Sequence, residues 1–168
     1  MALSCWGVEK SLDRLNGMFA FALWNREDRS LVLARDRMGE KPLYYGYENG
    51  TFLFGSELKS LTAHHEWQRR IDRDALALYM RHNYIPAPWS IYRNIKKLEP
   101  AHYIVVRNNG KSISPSRCFW DLNKIAQTSG FSISEGPLGI IHNLESLQRD
   151  AVGLRMAADV PLGAFLSG

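Results

Sequence analysis

Apolar residues come in short, punctuated runs over most of the chain and in a three-and-four-spaced stripe near its end. Residues 17–24, GMFAFALW, alternate large Phe19, Phe21 and Leu23 with small Ala20 and Ala22. Both faces of such a strand are apolar, which predicts cover on both sides. The polar NREDRS at 25–30 leads into LVLARD at 31–36, predicting a hairpin with the strand before it. Asn49-Gly50 sits between two aromatic-rich runs, and that pair accepts the positive φ angles of a type I′ turn. Asn109-Gly110 likewise separates YIVVR from a weaker, Ser-rich run.

Helices are fewer. Residues 11–15 read as the last part of one, stopped by Asn16-Gly17. Asp72 is placed to cap a short helix carrying Leu76, Tyr79 and Met80. That helix ends before Ile85-Pro86-Ala87-Pro88, because proline disfavours a helical residue ahead of it. Ile140, Leu144, Leu147, Ala151, Leu154 and Ala158 form one stripe, predicting the longest helix over 140–158. Arg149, Asp150 and Arg155 lie off that stripe. Residues 123–136 are polar and Ser/Gly-bearing, which predicts a linker with a domain boundary inside it. PLGAFLS at 161–167 then reads as a strand. A helix followed by a strand ending in small residues is how a parallel α/β sheet begins a phosphate site. Ser167-Gly168 has the residue types of such a site, where backbone N–H groups approach phosphate oxygens, but the simpler reading of the pair alone is a plain loop after a strand.

Composition narrows the classes. In 168 residues, 45% are hydrophobic, so a core can form and disorder is not indicated. Lys and Arg number 21 against 17 Asp and Glu, a net charge of +4 that is spread along the chain. Without a compact basic cluster interleaved with aromatics, nucleic-acid binding is not expected. The two cysteines, Cys5 and Cys118, are far apart and form no metal spacing, which favours a reduced, cytoplasmic protein. No apolar run approaches the ~20 residues that cross a bilayer, so no membrane association is expected. Glu9 and Lys10 interrupt the N-terminus before any signal-peptide core forms. No internal repeat or low-complexity tract is present.

Several residue sets look chemical at first sight. Arg35, Asp36 and Arg37 crowd charge after a strand, and the simpler reading is a structural ion pair or turn-forming set before Gly39. His64-His65 beside Glu66 suggests metal, but adjacent histidines on a loop seldom point at one ion, so a solvated loop is expected. His102 reads as a strand or turn residue. Trp67, Trp89 and Trp120 read as packing under loops, and Lys96-Lys97 as a solvated face. No catalytic residue and no metal ligand is assigned.

The blocks LNGMFAFALW, ARDRMGEKPLYYG, GSELKSL and IKKLEPAHYIVV, followed by RMAADVPLGAFLSG, keep an order and spacing similar to glutamine-hydrolysing asparagine synthases. The first four resemble the second half of that family's class II glutamine amidotransferase domain. The last resembles the opening of its synthetase domain, where a strand runs into a pyrophosphate-binding PP-loop. The resemblance implies an α+β fold joined to an α/β one. Residues 1–122 would be the C-terminal half of an Ntn-type αββα glutaminase sandwich, 123–136 a linker, and 137–168 the first helix and strand of a parallel-sheet PP-loop ATP pyrophosphatase domain.

The resemblance also implies a reaction. Glutamine is hydrolysed to glutamate and ammonia, and ammonia attacks aspartate that ATP, with Mg²⁺, has activated as β-aspartyl-AMP. Glutamine, aspartate and ATP would be the small-molecule partners, and a homodimer is left open. Of the family's ATP-contacting positions only Leu166, Ser167 and Gly168 carry over. The family's nucleophile is a first-residue cysteine whose own α-amine is the base. Met1-Ala2-Leu3-Ser4-Cys5 departs from that pattern, and Cys5 reads as a bland or partly buried thiol. An internal fragment lacking both complete centres is therefore expected. Two alternatives stand beside it: an amidotransferase of the same superfamily acting on a sugar or secondary-metabolite carboxylate, and an inactive truncated product.

Overall fold

In the computed structural model, residues 2–128 and 136–165 are described. They fall into two compact units, Met1–Asp121 and Leu122–Gly168.

The first unit opens with helix α1 (Ala2–Arg14), which breaks at Gly7, where φ is 75°. The hairpin predicted next is present: β1 (Ala20–Asn25) pairs antiparallel with β2 (Ser30–Arg35). Strands β3 (Tyr44–Glu48) and β4 (Thr51–Gly55) form a second hairpin. Its turn is the expected one, with φ of 47° at Asn49 and 80° at Gly50. Helix α2 (Leu58–Thr62) and helix α3 (Arg73–His82) follow. The Asp72 carboxylate caps α3 as predicted, accepting the N–H groups of Asp74 at 3.0 Å and Ala75 at 3.2 Å. Asn83, left-handed at φ 59°, ends it ahead of the proline segment. Strands β5 (Ile95–Lys97), β6 (His102–Arg107), β7 (Ser112–Ile113) and β8 (Arg117–Cys118) complete the unit.

Two antiparallel sheets result. One has the order β1-β2-β6-β7, with β8 also on β6; the other has the order β4-β3-β5. Alternation along β2 shows how they pack. Leu33 joins Leu43, Leu98, Ile104 and Val106 in a core that Tyr45 and Phe52 of the smaller sheet close. Val32 and Ala34, pointing the other way, meet Leu12 of α1 together with Tyr103. The layers are therefore helix, sheet, sheet. This small α+β fold is compatible with part of a glutaminase domain.

Cover on both faces of β1 is only partial. Ala20 packs on the inter-sheet core, but Ala22 and Trp24 further along the same face are exposed. The strand lies at the sheet's edge.

The second unit differs more from expectation. Helix α4 (Leu122–Thr128) occupies the start of the segment predicted as linker. Helix α5 (Pro137–Arg155) is the long helix, entered through Gly136 with Pro137 in its first turn. It stops three residues short of Ala158, so the stripe loses its last member. Neither helix buries a residue. The strand predicted at 161–167 is not formed across 161–165, and Phe165 is fully exposed. A parallel strand needs neighbours to satisfy its N–H and C=O groups, and the described residues of this unit supply none.

Candidate functional site

A dense set of side-chain hydrogen bonds lies at the end of β2, on Arg35 and Asp36. Asp36 is fully buried. One carboxylate oxygen accepts the N–H of Met38 at 3.1 Å and of Glu40 at 2.9 Å. The other accepts those of Lys41 at 2.9 Å and Phe19 at 3.3 Å. Its backbone is used too: its N–H donates to Phe19 O at 2.9 Å, and its carbonyl accepts from Gly39 at 3.1 Å and Ala101 at 2.8 Å.

Arg35 does the complementary work. Its guanidinium donates to the carbonyls of Lys41 at 2.8 Å, Leu98 at 2.6 Å and Gly39 at 2.5 Å. Partial burial lowers its pKa, against the attraction of Asp36 and Tyr44. Gly39 closes the arrangement. Its φ is 67°, and a Cβ there would lie 2.8 Å from Pro100 Cγ and 3.0 Å from Arg35 Cζ. The structural reading of this charged run therefore holds. The acid satisfies donors and the base satisfies acceptors of one loop, residues 36–41, and pins it to the start of β1 and to the segment before β6. Both groups point at backbone.

Arg37 departs from its neighbours. It donates to Asp13 O at the end of α1 at 2.8 Å, and its guanidinium carbon lies 6.0 Å from the Trp120 ring.

Lys96-Lys97 is not a uniformly solvated face. Lys96 is exposed, but Lys97 is half-buried and its ammonium donates to Ile85 O, bracing the proline segment. Burial lowers its pKa, with Arg35 nearby adding repulsion. The strand's alternation sends the two side chains to opposite faces, and only one face meets solvent.

A cleft of about 510 Å³ lies between α1 and its sheet. Trp6, Leu23, Val32 and Val105 give it apolar walls. At its side the Tyr103 hydroxyl donates to Glu9, and Arg117 reaches the same carboxylate oxygen at 3.3 Å. Burial raises the Tyr103 pKa, and the hydrogen bond to Glu9 adds to it. Sequence reading missed this trio because Glu9 and Tyr103 are 94 residues apart. It fastens helix to sheet.

The remaining candidates stay separate. Cys5 and Cys118 are exposed free thiols. His65 stands 3.9 Å from Glu66 with both side chains well exposed, as a solvated loop requires. His102 begins β6 and its Nδ1 lies 2.6 Å from Pro100 O. Trp67 packs edge-on to Tyr92 with ring centroids 5.0 Å apart, whereas Trp89 is exposed. Among the described residues there is no group of His, Cys, Asp and Glu suited to a metal ion. Leu166, Ser167 and Gly168 lie outside the described residues. The stretch leading to them, 161–165, has no regular structure.

Residues 1–120 match the family model of the glutamine amidotransferase domain. Asparagine synthetase [glutamine-hydrolyzing] 3 of Bacillus subtilis is 36% identical over 161 residues, covering 95% of this chain and 25% of that protein. Putative asparagine synthetase [glutamine-hydrolyzing] 2 of Methanocaldococcus jannaschii is 37% identical over 157 residues, covering 91% of this chain and 29% of the other. Amidase chyE of Penicillium rubens is 32% identical over 165 residues, covering 94% and 22%. The chain thus spans about a quarter of the length of the curated relatives it matches.

Proposed function

The chain belongs to the glutamine amidotransferase domain family, and we propose that it is part of a glutamine-hydrolysing asparagine synthase. One observation carries the reading. Similarity to proteins named asparagine synthetase covers 95% of the chain, so it runs beyond residue 120, where the amidotransferase match ends. Shared sequence on both sides of that point favours a two-part enzyme over a free-standing glutaminase.

On this reading residues 1–122 are the back part of the glutaminase domain and 137–168 the entrance to the synthetase domain, with 123–136 between them. The complete enzyme releases ammonia from glutamine and joins it to aspartate activated by ATP as β-aspartyl-AMP. ATP and Mg²⁺ would be met through a PP-loop beginning at Leu166, Ser167 and Gly168. That assignment rests on the resemblance, since 161–165 lend it no support. What this chain's own residues contribute is scaffold: Arg35 and Asp36 fix the loop after β2, and Glu9, Tyr103 and Arg117 fix α1. No helix is long and apolar enough among the described residues to cross a membrane, and a cytoplasmic setting fits the two free thiols.

The test is to express the complete reading frame that contains this chain and supply glutamine, aspartate and ATP-Mg²⁺. Glutamate, asparagine, AMP and pyrophosphate in matching amounts are expected. Glutamate without asparagine, with AMP formed only when another carboxylate is added, would transfer the reading to a superfamily amidotransferase with a sugar or secondary-metabolite acceptor. The similarity to amidase chyE, nearly as high as to the synthetases, is the observation that favours this second reading.

A further inference from the structure

Helix α1 covers only part of the outer face of the larger sheet. Beyond its break at Gly7, Val8 and Leu12 pack with Val32 and Ala34. Before the break, Leu3 and Trp6 belong to neither core and instead wall the cleft of about 510 Å³, with Leu23, Val32 and Val105 of the sheet as its floor. The Trp6 ring is held in place, since the Arg14 guanidinium carbon lies 4.4 Å from its centroid. Charge gathers at one end of this cleft. Leu31 pairs with Val106, which sets Ser30 of β2 beside Arg107 of β6. The Asp28 carboxylate accepts the Ser30 hydroxyl at 2.8 Å. An acid and a base therefore share one end of the cleft, and both line it. Among the described residues neither Asp28 nor Arg107 has an ion-pair partner. Glu9 and Arg117 are engaged with each other and with Tyr103. Lys10 adds a second cation from the helix side.

We propose that this cleft binds a free α-amino acid with a large apolar side chain, its carboxylate on Arg107 and its ammonium on Asp28. A zwitterion answers both charges at once, whereas a simple carboxylate or a simple amine would meet a like charge beside its partner. The apolar floor takes the side chain, and the fixed Trp6 ring favours an aromatic one. Aspartate and glutamine, the polar amino acids of the proposed amidation, are the wrong occupants, because their side chains would be set against Leu23, Val32 and Val105 at a desolvation cost. The cleft stands independently of that chemistry, so the two readings fail separately.

The probe is L-phenylalanine, titrated into the 168-residue chain and followed by backbone amide NMR shifts. Binding with a Kd of about 1 mM or tighter is expected, with shifts at Leu23, Val32 and Val105. N-acetyl-L-phenylalanine lacks the ammonium and L-phenylalaninamide lacks the carboxylate, and each should bind at least about fivefold more weakly. Asp28→Asn should erase the discrimination against the acetylated ligand and keep that against the amide. Arg107→Gln should do the reverse, an exchange of preference that misfolding does not produce. Equal binding of the three ligands, or discrimination unmoved by both substitutions, would overturn the proposal. So would the absence of shifts at about 10 mM phenylalanine, or glutamine that binds there as well as phenylalanine does.

Discussion

Arg35 and Asp36, adjacent in sequence, grip opposite polarities of the same residue, Lys41. Asp36 accepts the Lys41 N–H at 2.9 Å while Arg35 donates to the Lys41 carbonyl at 2.8 Å. The pair acts as a miniature piece of secondary structure where the chain has none. Strand alternation makes this division of labour available, because consecutive side chains leave on opposite sides.

Removing the acid should be costly. Charge-assisted hydrogen bonds contribute about 1.5–3 kcal/mol each, but four that share one carboxylate do not add in full. Asp36→Ala is expected to lower stability by about 2–4 kcal/mol, since it removes four acceptor contacts of one buried carboxylate. Urea unfolding followed by tryptophan fluorescence measures it. A loss under about 1 kcal/mol would mean that water replaces the carboxylate.

Gly39 should be intolerant for a separate reason. Gly39→Ala adds a Cβ 2.8 Å from Pro100 at a left-handed φ of 67°. Both strain and collision oppose it, and a loss of about 1–3 kcal/mol is expected. Because the added methyl also pushes on Arg35, Gly39→Ala combined with Arg35→Lys should cost less than the two single losses summed. Full additivity in the same urea assay would show that the two sites are uncoupled.

The helix–sheet fastening predicts a pH dependence. Burial raises the Tyr103 pKa above its ordinary value of 10.0, and the Glu9 hydrogen bond adds to that. The folded state therefore holds this proton more tightly than the unfolded chain. Its contribution is complete below the ordinary tyrosine value and is lost as pH rises through the raised one. Tyr45, also raised by burial, contributes in the same direction. Tyr103→Phe should make the alkaline fall in stability shallower without abolishing it. An unchanged slope between neutral pH and the alkaline limit would refute the linkage.

The features legible in sequence were the local ones. The Asn49-Gly50 turn, the β1–β2 hairpin and the Asp72 cap are each decided within a few residues. The charged run after β2 was readable as structural, but not its partners, because Leu98 lies 63 residues from Arg35. Lys97 looked like surface because its acceptor, Ile85 O, is 12 residues back. The strand expected at 161–167 is not formed across its described part, 161–165, for a different reason. Apolar alternation makes a segment fit for a sheet, but the sheet must come from other strands. Leu166, Ser167 and Gly168 were singled out by resemblance, and no local pattern in 161–165 substitutes for it.

Cys5 offers a direct check on the chemistry this chain carries. In the family pattern the nucleophilic cysteine uses its own α-amine as base. The nitrogen of Cys5 is instead a peptide nitrogen inside α1, and its thiol is exposed. The 168-residue chain is expected to release no glutamate from glutamine above buffer, and Cys5→Ala to change nothing. Glutamate release that disappears in Cys5→Ala would place a nucleophile where none is assigned.

The edge strand β1 sets the last expectation. It pairs with β2 on one side, and among the described residues no strand pairs with its other side. Its sequence, AFALWN, has no charge and no proline, and Trp24 is 48% exposed. Natural sheets blunt such edges with lysine or proline, because free N–H and C=O groups template pairing with another chain. The isolated chain should therefore self-associate as its concentration rises. Ala22 is exposed at the middle of this strand, facing away from the α1 side. Ala22→Lys places a charge there without touching either core, so it should restore a monomer and leave the unfolding midpoint nearly unchanged. Analytical ultracentrifugation of both proteins over a concentration series separates the outcomes. A wild-type chain that stays monomeric throughout would show that the edge is already protected, and association unaltered by Ala22→Lys would place the contact elsewhere.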